Sequence, residues 1–174
     1  MIFRLNPSSA PSSVRSNLTT ISSNSFSSWD AQTTKVAFSQ GPNTSVSRSR
    51  LDYQNVVAWG SLSGSTLGLT TIRYYVDTGE VVDVDTIMNS RVTWTWKNPS
   101  TLLPPLTVDN SCGDLKKYDA QDILTHEIGH WLGLDDIYDS TQKDLTMYGY
   151  GRKGELKKNT LETGDILGIQ SLYP

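Results

Sequence analysis

Short apolar runs separated by turn residues recur over the first hundred positions, a pattern typical of β-strands. Val, Ile, Thr and aromatic side chains are frequent in these runs, and Gly, Pro, Asn or Ser residues stand between them. The pattern predicts strands at residues 1–5, 35–38, 55–59, 66–76, 81–88 and 93–96. A turn at residues 77–80 joins the fourth and fifth of these runs as a hairpin.

A helical stripe lies inside a serine-rich segment near the start of the chain. Residues 8–28 contain ten serines, a composition that by itself suggests a linker. Val14, Leu18 and Ile21 nevertheless recur at helical spacing. We therefore predict a helix here, held by packing on the sheet rather than by intrinsic helix propensity.

The composition narrows the class of protein. A length of 174 residues fits one domain with a sizeable core. The formal net charge of -3 and the absence of a basic cluster argue against nucleic acid or an anionic membrane as the main partner. No apolar run reaches membrane-spanning length, and the first twenty residues lack the apolar core of a signal peptide. We therefore expect the chain to begin directly at the folded domain.

Acidic residues gather around the predicted hairpin, at Asp77, Glu80, Asp83 and Asp85. Clustered carboxylates of this kind could bind calcium. The spacing of a dedicated calcium loop is absent, and apolar and acidic residues alternate over 82–85 as they do in a half-solvated strand. We therefore expect an ordinary polar face, with a calcium site as the alternative.

The residues with the strongest chemical signature lie at 126–136. His126 and His130 are the only histidines in the chain. On a helix that begins near Asp119, their spacing of four residues projects both imidazoles from one face, where they can bind a single metal ion. Glu127 stands beside the first histidine and can reach a metal-activated water. This spacing predicts a zinc hydrolase.

The third ligand of the metal must be a residue other than histidine. Catalytic zinc usually has three protein ligands and a water. Gly133 follows the last predicted helical turn and can take the left-handed conformation that ends a helix and turns the chain back. Asp136, three positions later, is then the favoured ligand. Asp135 and the lone Cys112 are the alternatives, although a thiolate tends to close a zinc site.

The pattern from His126 to Asp136 resembles the extended zinc signature of the metzincin metallopeptidases, with Asp in place of their third His, as in snapalysin-like enzymes. Within that clan the chain is most similar to the matrixins. Residues 122–126 enter the helix as theirs do, residues 145–148 resemble their Met-turn, and residues 161–173 resemble their last helix.

The resemblance implies an α/β (α+β) fold. Its parts are a mixed five-stranded twisted sheet with one antiparallel edge strand, a zinc-binding helix, a Met-turn and a C-terminal helix. It further implies a single catalytic domain over residues 1–174, with an upper subdomain at about 1–133 and a lower one at about 134–174. A secreted or extracytoplasmic location and a monomeric state are also expected.

The resemblance assigns roles to further residues. Met147 would form an apolar floor beneath the metal, and Asp165 would tether the Met-turn. Gly164 replaces an acidic residue that in matrixins can receive the mature N-terminus, so that ion pair is expected to be missing. The substrate is expected to contact residues on the edge strand and residues after the Met-turn: Leu67, Gly68, Leu69, Tyr148, Gly149 and Tyr150.

These features predict a zinc-dependent endopeptidase that hydrolyses extended polypeptides through a metal-activated water, with Glu127 as general base. One alternative is a zinc-binding peptide-recognition module without turnover, which the presence of Glu127 disfavours. Another is a thermolysin-like peptidase with Glu155 or Glu162 as third ligand, which Gly133 and Met147 disfavour. The last alternative is a purely structural metal site, which normally needs four Cys or His ligands that the sequence lacks.

Overall fold

The structure is a computed structural model that describes residues 1–99 and 114–174. Its strands are β1 (Ile2–Leu5), β2 (Ser39–Gln40), β3 (Asn55–Gly60), β4 (Gly68–Tyr74), β5 (Val81–Asn89), β6 (Trp94–Thr95) and β7 (Tyr118–Asp119). Within the described residues the main sheet has five strands in the order β2-β1-β3-β5-β4. Only the β4–β5 pair in this sheet is antiparallel. The mixed sheet with an antiparallel edge strand is therefore confirmed.

Most of the strand predictions are confirmed, and one is wrong. Residues 35–38 do not form a strand, and β2 begins at Ser39 instead. The reason is tertiary: the Phe38 N–H donates to the Asp30 carboxylate at 3.1 Å, and the Phe38 ring packs 4.9 Å from that of Phe26. The chain is thus tied to the preceding helix and reaches the sheet only afterwards. The run at 93–96 is shortened to β6, which pairs with β7 in a separate small sheet.

The helices are α1 (Ser12–Arg15), α2 (Leu18–Asp30), α3 (Ala120–Trp131) and α4 (Thr163–Leu172). The serine-rich segment is helical, as predicted, and two of its serines, Ser22 and Ser25, are buried. Ser25 is buried where α2 meets α3 and accepts a hydrogen bond from the Thr125 hydroxyl at 3.1 Å. Trp29 donates from its indole to the Thr125 carbonyl at 2.8 Å. Small polar side chains on α2 therefore allow close contact with the helix that carries the candidate site.

The core joins the sheet, α2 and α3 through aromatic contacts. Phe26 stacks on Phe3 at 3.9 Å and meets the edge of Trp131 at 5.1 Å. Gly129 allows α3 to pack on two further core side chains, because a Cβ at this position would lie 2.2 Å from the Met147 sulfur and 2.9 Å from the Trp29 ring. Within the described ranges, no helix is long and apolar enough to cross a membrane.

Helix α3 begins at a strong cap. Asp119 accepts hydrogen bonds from the N–H groups of Gln121 and Asp122 at 2.9 and 3.1 Å, and its other oxygen accepts the Lys97 N–H at 2.9 Å. An Asp side chain here satisfies amide groups that the first turn of a helix leaves unpaired. The helix start near Asp119 is confirmed.

Replacing this cap tests how firmly the candidate site is supported. We expect Asp119→Ala to lower the free energy of unfolding by about 1–2 kcal/mol, because the cap and the Lys97 contact are both lost. Asp119→Asn keeps one carbonyl oxygen for the cap and should lose less than half of that amount. Urea unfolding of the three proteins measures both values, and an Ala variant as stable as wild type would contradict the role of the cap.

Helix α3 ends as predicted. Gly133 has φ of +87°, and the N–H groups of Gly133 and Leu134 donate to the carbonyls of His130 and Gly129. The chain then turns back, and Ile137 donates its N–H to the Met147 carbonyl at 2.8 Å. This turn brings the segment after the helix beside the Met147 segment.

Candidate metal centre and active site

The two histidines of α3 are oriented by backbone carbonyls. His126 Nδ1 lies 2.8 Å from the Thr146 carbonyl, and His130 Nδ1 lies 2.7 Å from the Leu134 carbonyl. A carbonyl can only accept, so each Nδ1 carries the hydrogen and the Nε2 atom of the neutral ring keeps its lone pair. The two Nε2 lone pairs are then free to bind a metal ion, and the ring orientations are fixed by the segments that follow the helix.

Asp136 completes the group. Its Oδ1 lies 3.1 Å from His126 Nε2 and 3.8 Å from His130 Nε2. When His126 carries a second proton in place of a metal ion, its hydrogen bond is the main cause that lowers the pKa of Asp136 to about 2. The Oδ1 atom is buried and has no hydrogen-bond partner among the residues that the structure describes. An unpaired carboxylate oxygen therefore points at two nitrogen lone pairs.

This donor set fits zinc. The ligand atoms of His126, His130 and Asp136 lie within 4.8 Å of one another. Two lone pairs and a carboxylate oxygen repel one another unless a cation lies between them, and two imidazoles with one carboxylate are a common ligand set for catalytic zinc. Three protein ligands also leave a position for water or substrate.

The structure distinguishes among the alternative third ligands. Asp135 is not part of the converging group, and Cys112 lies outside the described residues. Glu155 pairs with Lys157 at 2.9 Å, and Glu162 is the residue at which α4 is capped. The two glutamates thus have other contacts, and Asp136 is the carboxylate that meets the histidines.

Glu127 lies beside the metal group on the wall of a cleft. Its side chain is nearly buried against β4, where a Cβ on Gly68 would lie only 2.2 Å from Glu127 Oε1. Its Oε2 accepts a hydrogen bond from the Thr70 hydroxyl at 2.6 Å. The missing side chain at Gly68 therefore makes room for the carboxylate next to His126.

Met147 lies against α3, and its role as an apolar floor beneath the metal stays a prediction. It is buried with its sulfur against Gly129. The predicted tether is present: Asp165 on α4 accepts the N–H groups of Thr146 and Met147 at 2.9 and 3.0 Å. Because the Thr146 carbonyl also orients His126, this tether connects α4 to the metal group.

A cleft of about 1130 Å³ contains the metal group and Glu127. One wall is β4 and the residues before it, including Leu67, Gly68 and Leu69, and the opposite wall includes Gly149 and Tyr150. Tyr148, the remaining residue of the predicted substrate contacts, does not line the cleft. Its ring packs instead against Tyr150, with Lys157 above it.

The expectation of an ordinary, half-solvated polar face at the hairpin is wrong for two of its four acidic residues, whereas Asp77 and Glu80 are exposed. Asp83 and Asp85 are buried and pair with Arg73 at 2.7 and 3.0 Å. They also accept the backbone N–H groups of Asp52 and Arg50. Burial is the main cause that raises the pKa of Asp85 to about 6. These two carboxylates hold the loop before β3 on the sheet, and the structure gives a calcium site there no support.

Three residues at the site were not predicted from the sequence, namely Thr70, Tyr138 and Lys158. Thr70 could have been found, because it lies two residues after Gly68 and so on the same face of a strand. Lys158 gives no such signal: a single lysine in a polar stretch is normally exposed, yet here it is buried and donates to the Tyr148 carbonyl. Burial lowers its pKa.

Tyr138 contacts the proposed third ligand directly. Its hydroxyl donates to Asp136 Oδ2 at 2.9 Å, and Gly149 permits this approach because a Cβ there would lie 2.5 Å from the Tyr138 ring. We expect Tyr138→Phe to weaken zinc binding about tenfold, since partners that orient a metal ligand typically contribute at that level. Competition with a zinc chelator measures the change. Tyr150→Phe, whose hydroxyl makes no contact with Asp136, is the matched control, and equal losses in both variants would contradict the assignment.

Comparison with protein families gives a match that spans this site. The family model described as matrixin matches residues 2–174, which includes α3, the metal group and the Met147 segment. No individual curated protein matched the chain.

Proposed function

This chain belongs to the matrixin family of zinc metallopeptidases, and from that premise we propose that it is a zinc-dependent endopeptidase acting on extended polypeptides. The observation that carries the proposal is the convergence of His126, His130 and the unpaired oxygen of Asp136 next to the Glu127 carboxylate. A buried carboxylate adjacent to a three-ligand zinc site is the arrangement that metal-assisted hydrolysis requires.

In the proposed mechanism, the chemistry supplied by bound zinc is Lewis acidity toward the peptide carbonyl and the attacking water. Glu127 accepts a proton from that water while the water oxygen bonds to the carbonyl carbon of the peptide. Glu127 then passes the proton to the nitrogen of the breaking carbon–nitrogen bond, which leaves as an amine. The Thr146 and Leu134 carbonyls hold the imidazoles in the orientation that ligation needs.

The edge strand supports an extended substrate. Strand β4 pairs with β5 on one side, and among the described strands none covers its other side. Backbone groups of alternate residues in β4 face away from β5, and because the Leu67 carbonyl accepts the Asn89 N–H on the β5 side, those of Gly68 face outward and can bind a peptide as an added antiparallel strand. The opposite wall at Gly149 and Tyr150 would then contact side chains after the cleaved bond.

The pocket favours an apolar residue directly after the cleaved bond. Gly151 packs so closely on Ile123 and Leu67 that a Cβ there would lie 2.7 and 2.9 Å from their methyl groups. These side chains give that part of the cleft apolar walls. A protein or peptide substrate, a monomeric state, the absence of nucleic-acid and membrane partners, and a secreted or extracytoplasmic location are parts of the same proposal.

Metal content and peptide cleavage test the proposal together. We expect one zinc per chain by mass spectrometry, and cleavage of casein and quenched-fluorescence peptides that a chelator abolishes and zinc restores. Zinc binding without cleavage of any peptide would instead favour a peptide-recognition module. Cleavage that persists after the metal has been removed would overturn the zinc mechanism.

A further inference from the structure

A chain of hydrogen bonds ends at the Glu127 carboxylate. The Trp131 indole N–H donates to Thr86 Oγ1 at 2.8 Å, the hydroxyls of Thr86 and Thr70 lie 2.7 Å apart, and Thr70 donates to Glu127 Oε2 at 2.6 Å. Glu127 and Trp131 lie one turn apart in the C-terminal half of α3, and Thr70 and Thr86 lie on the neighbouring strands β4 and β5. The general base proposed above is therefore linked to the sheet through two threonine hydroxyls.

The directions of these hydrogen bonds follow when Glu127 is ionised, as the proposed general base must be. The Trp131 indole can only donate, so Thr86 Oγ1 accepts from it. An ionised Glu127 can only accept, so the Thr70 hydrogen points to Oε2, and Thr70 must in turn accept the hydrogen of Thr86. The Glu127 backbone carbonyl is a second acceptor for Thr70, but it is more distant at 3.3 Å. All three donors thus point toward the carboxylate, which strengthens each bond in the chain.

The sheet fixes the positions of the two threonines in this hydrogen-bond chain. Thr70 and Thr86 are directly opposite partners in the β4–β5 ladder, so their separation is fixed by the strand register. Thr86 is fully buried, and Trp131 and Glu127 are nearly so. Water therefore has little access at Thr86, whereas Thr70 is half-buried and lines the cleft.

The two oxygens of Glu127 have different surroundings. Oε2 is bound by Thr70. Oε1 makes no hydrogen bond to any residue in the described ranges and is accessible to solvent. It lies against Gly68 on the wall of the cleft. Oε1 is therefore the atom that can meet a water in the cleft.

We propose that Thr70 is a positioning residue that fixes Glu127 so that Oε1 accepts the proton, with Thr86 and Trp131 holding the Thr70 hydroxyl in its donating orientation. The inference rests on the proposed peptidase function. It assigns the catalytic proton to one oxygen of Glu127 and gives a strand residue outside the zinc motif a role in turnover.

Isosteric removal of the hydroxyl tests the role. We expect Thr70→Val to lower kcat about 10- to 100-fold, the range found for partners that orient a reactive group, with KM changed less than about twofold. Thr70→Ser, which keeps the hydroxyl, should restore kcat to within about threefold of wild type. The matched control is Thr71→Val, the same substitution on the next residue of β4, whose side chain points to the other face, and it should leave kcat unchanged.

Substitution of Thr86 tests the chain as a unit. Thr86→Val removes the donor that holds the Thr70 hydroxyl and should lower kcat about three- to tenfold. The double variant Thr70→Val/Thr86→Val should be no slower than Thr70→Val alone, because both substitutions interrupt one path. A double variant whose losses multiply, or a Thr70→Val enzyme with the kcat of wild type, would overturn the proposal.

Crystal structures of wild type and Thr70→Val give a readout that does not depend on turnover. We expect the Glu127 carboxylate to keep its position in wild type and in Thr70→Ser, and to rotate or become disordered in Thr70→Val while zinc content stays the same. A carboxylate that stays in place in Thr70→Val refutes the positioning role even if the enzyme is active. A wild type that cleaves nothing, with a carboxylate displaced only in Thr70→Val, refutes the peptidase function and leaves the positioning role standing.

Discussion

Glu127→Ala is expected to retain a full equivalent of zinc and to lose about 10²- to 10⁴-fold in kcat, the range that general acid–base catalysis contributes. Zinc should be retained because none of the three ligand atoms belongs to Glu127, and because the His126 and His130 rings are held by carbonyls that the substitution does not touch. Turnover should fall because the attacking water then has no buried base.

Two further variants separate the lost base from the lost packing. Glu127→Gln keeps the shape and can still accept from Thr70, yet it cannot take a proton, so it should be nearly as slow as the Ala variant. Glu127→Asp keeps the charge but withdraws the carboxylate from Gly68 by one methylene, and an intermediate kcat is expected. Steady-state kinetics with one quenched peptide gives all values, and an Ala variant as active as wild type would rule out this mechanism.

The parts of the site that are local in sequence could be predicted from it. His126 and His130 are four residues apart, so a helix alone brings them together. Gly133 is a left-handed residue directly after that helix, which is why the return of the chain toward the histidines was also predictable. The side chain of Asp136 then meets them because only two residues intervene.

The parts of the site that come from distant elements could not be predicted in the same way. Thr70 and Lys158 reach Glu127 and His126 from segments more than thirty residues away, and neither residue type indicates a site by itself. A strand pattern of period two gives the face on which Thr70 lies but does not give its partner across the sheet. The mixed five-stranded sheet with its antiparallel edge strand was accordingly expected from the family resemblance and not from the pattern.

The fold shows the same difference between features that are local in the sequence and features that depend on distant contacts. Strand β3 was recognisable because parallel strands covered on both faces are nearly continuous in apolar residues, and β5 because apolar and polar residues alternate at its start. Residues 35–38 have similar composition, but the Asp30 carboxylate and the Phe26 ring hold Phe38 out of the sheet. The serine-rich helix was identified from three apolar positions, whereas its contact with α3 through Ser25 depends on a side chain that usually indicates solvent.

Asp136→Ala is expected to weaken zinc binding by more than about 100-fold, since loss of a direct ligand should exceed the 10- to 100-fold effect of partners that only orient ligands. The substitution removes the negative charge that faces the two Nε2 atoms and leaves a two-histidine site. Peptide cleavage should fall in parallel at limiting zinc. Asp135→Ala is the matched control, because this neighbouring carboxylate lines the cleft but does not join the converging group.

The loss of zinc affinity in Asp136→Ala can be measured through the stability of the protein as well as through its activity. At a zinc concentration of about 100 times the wild-type Kd, bound metal should stabilise the wild type by about 2.7 kcal/mol. A 100-fold weaker site gains only about 0.4 kcal/mol at the same concentration, so zinc should hardly raise the Tm of Asp136→Ala. Full zinc occupancy in Asp136→Ala would show that the third ligand is Asp135, Cys112 or a later glutamate and not Asp136. The Asp135→Ala/Asp136→Ala double variant would then show whether the neighbouring carboxylate had replaced it.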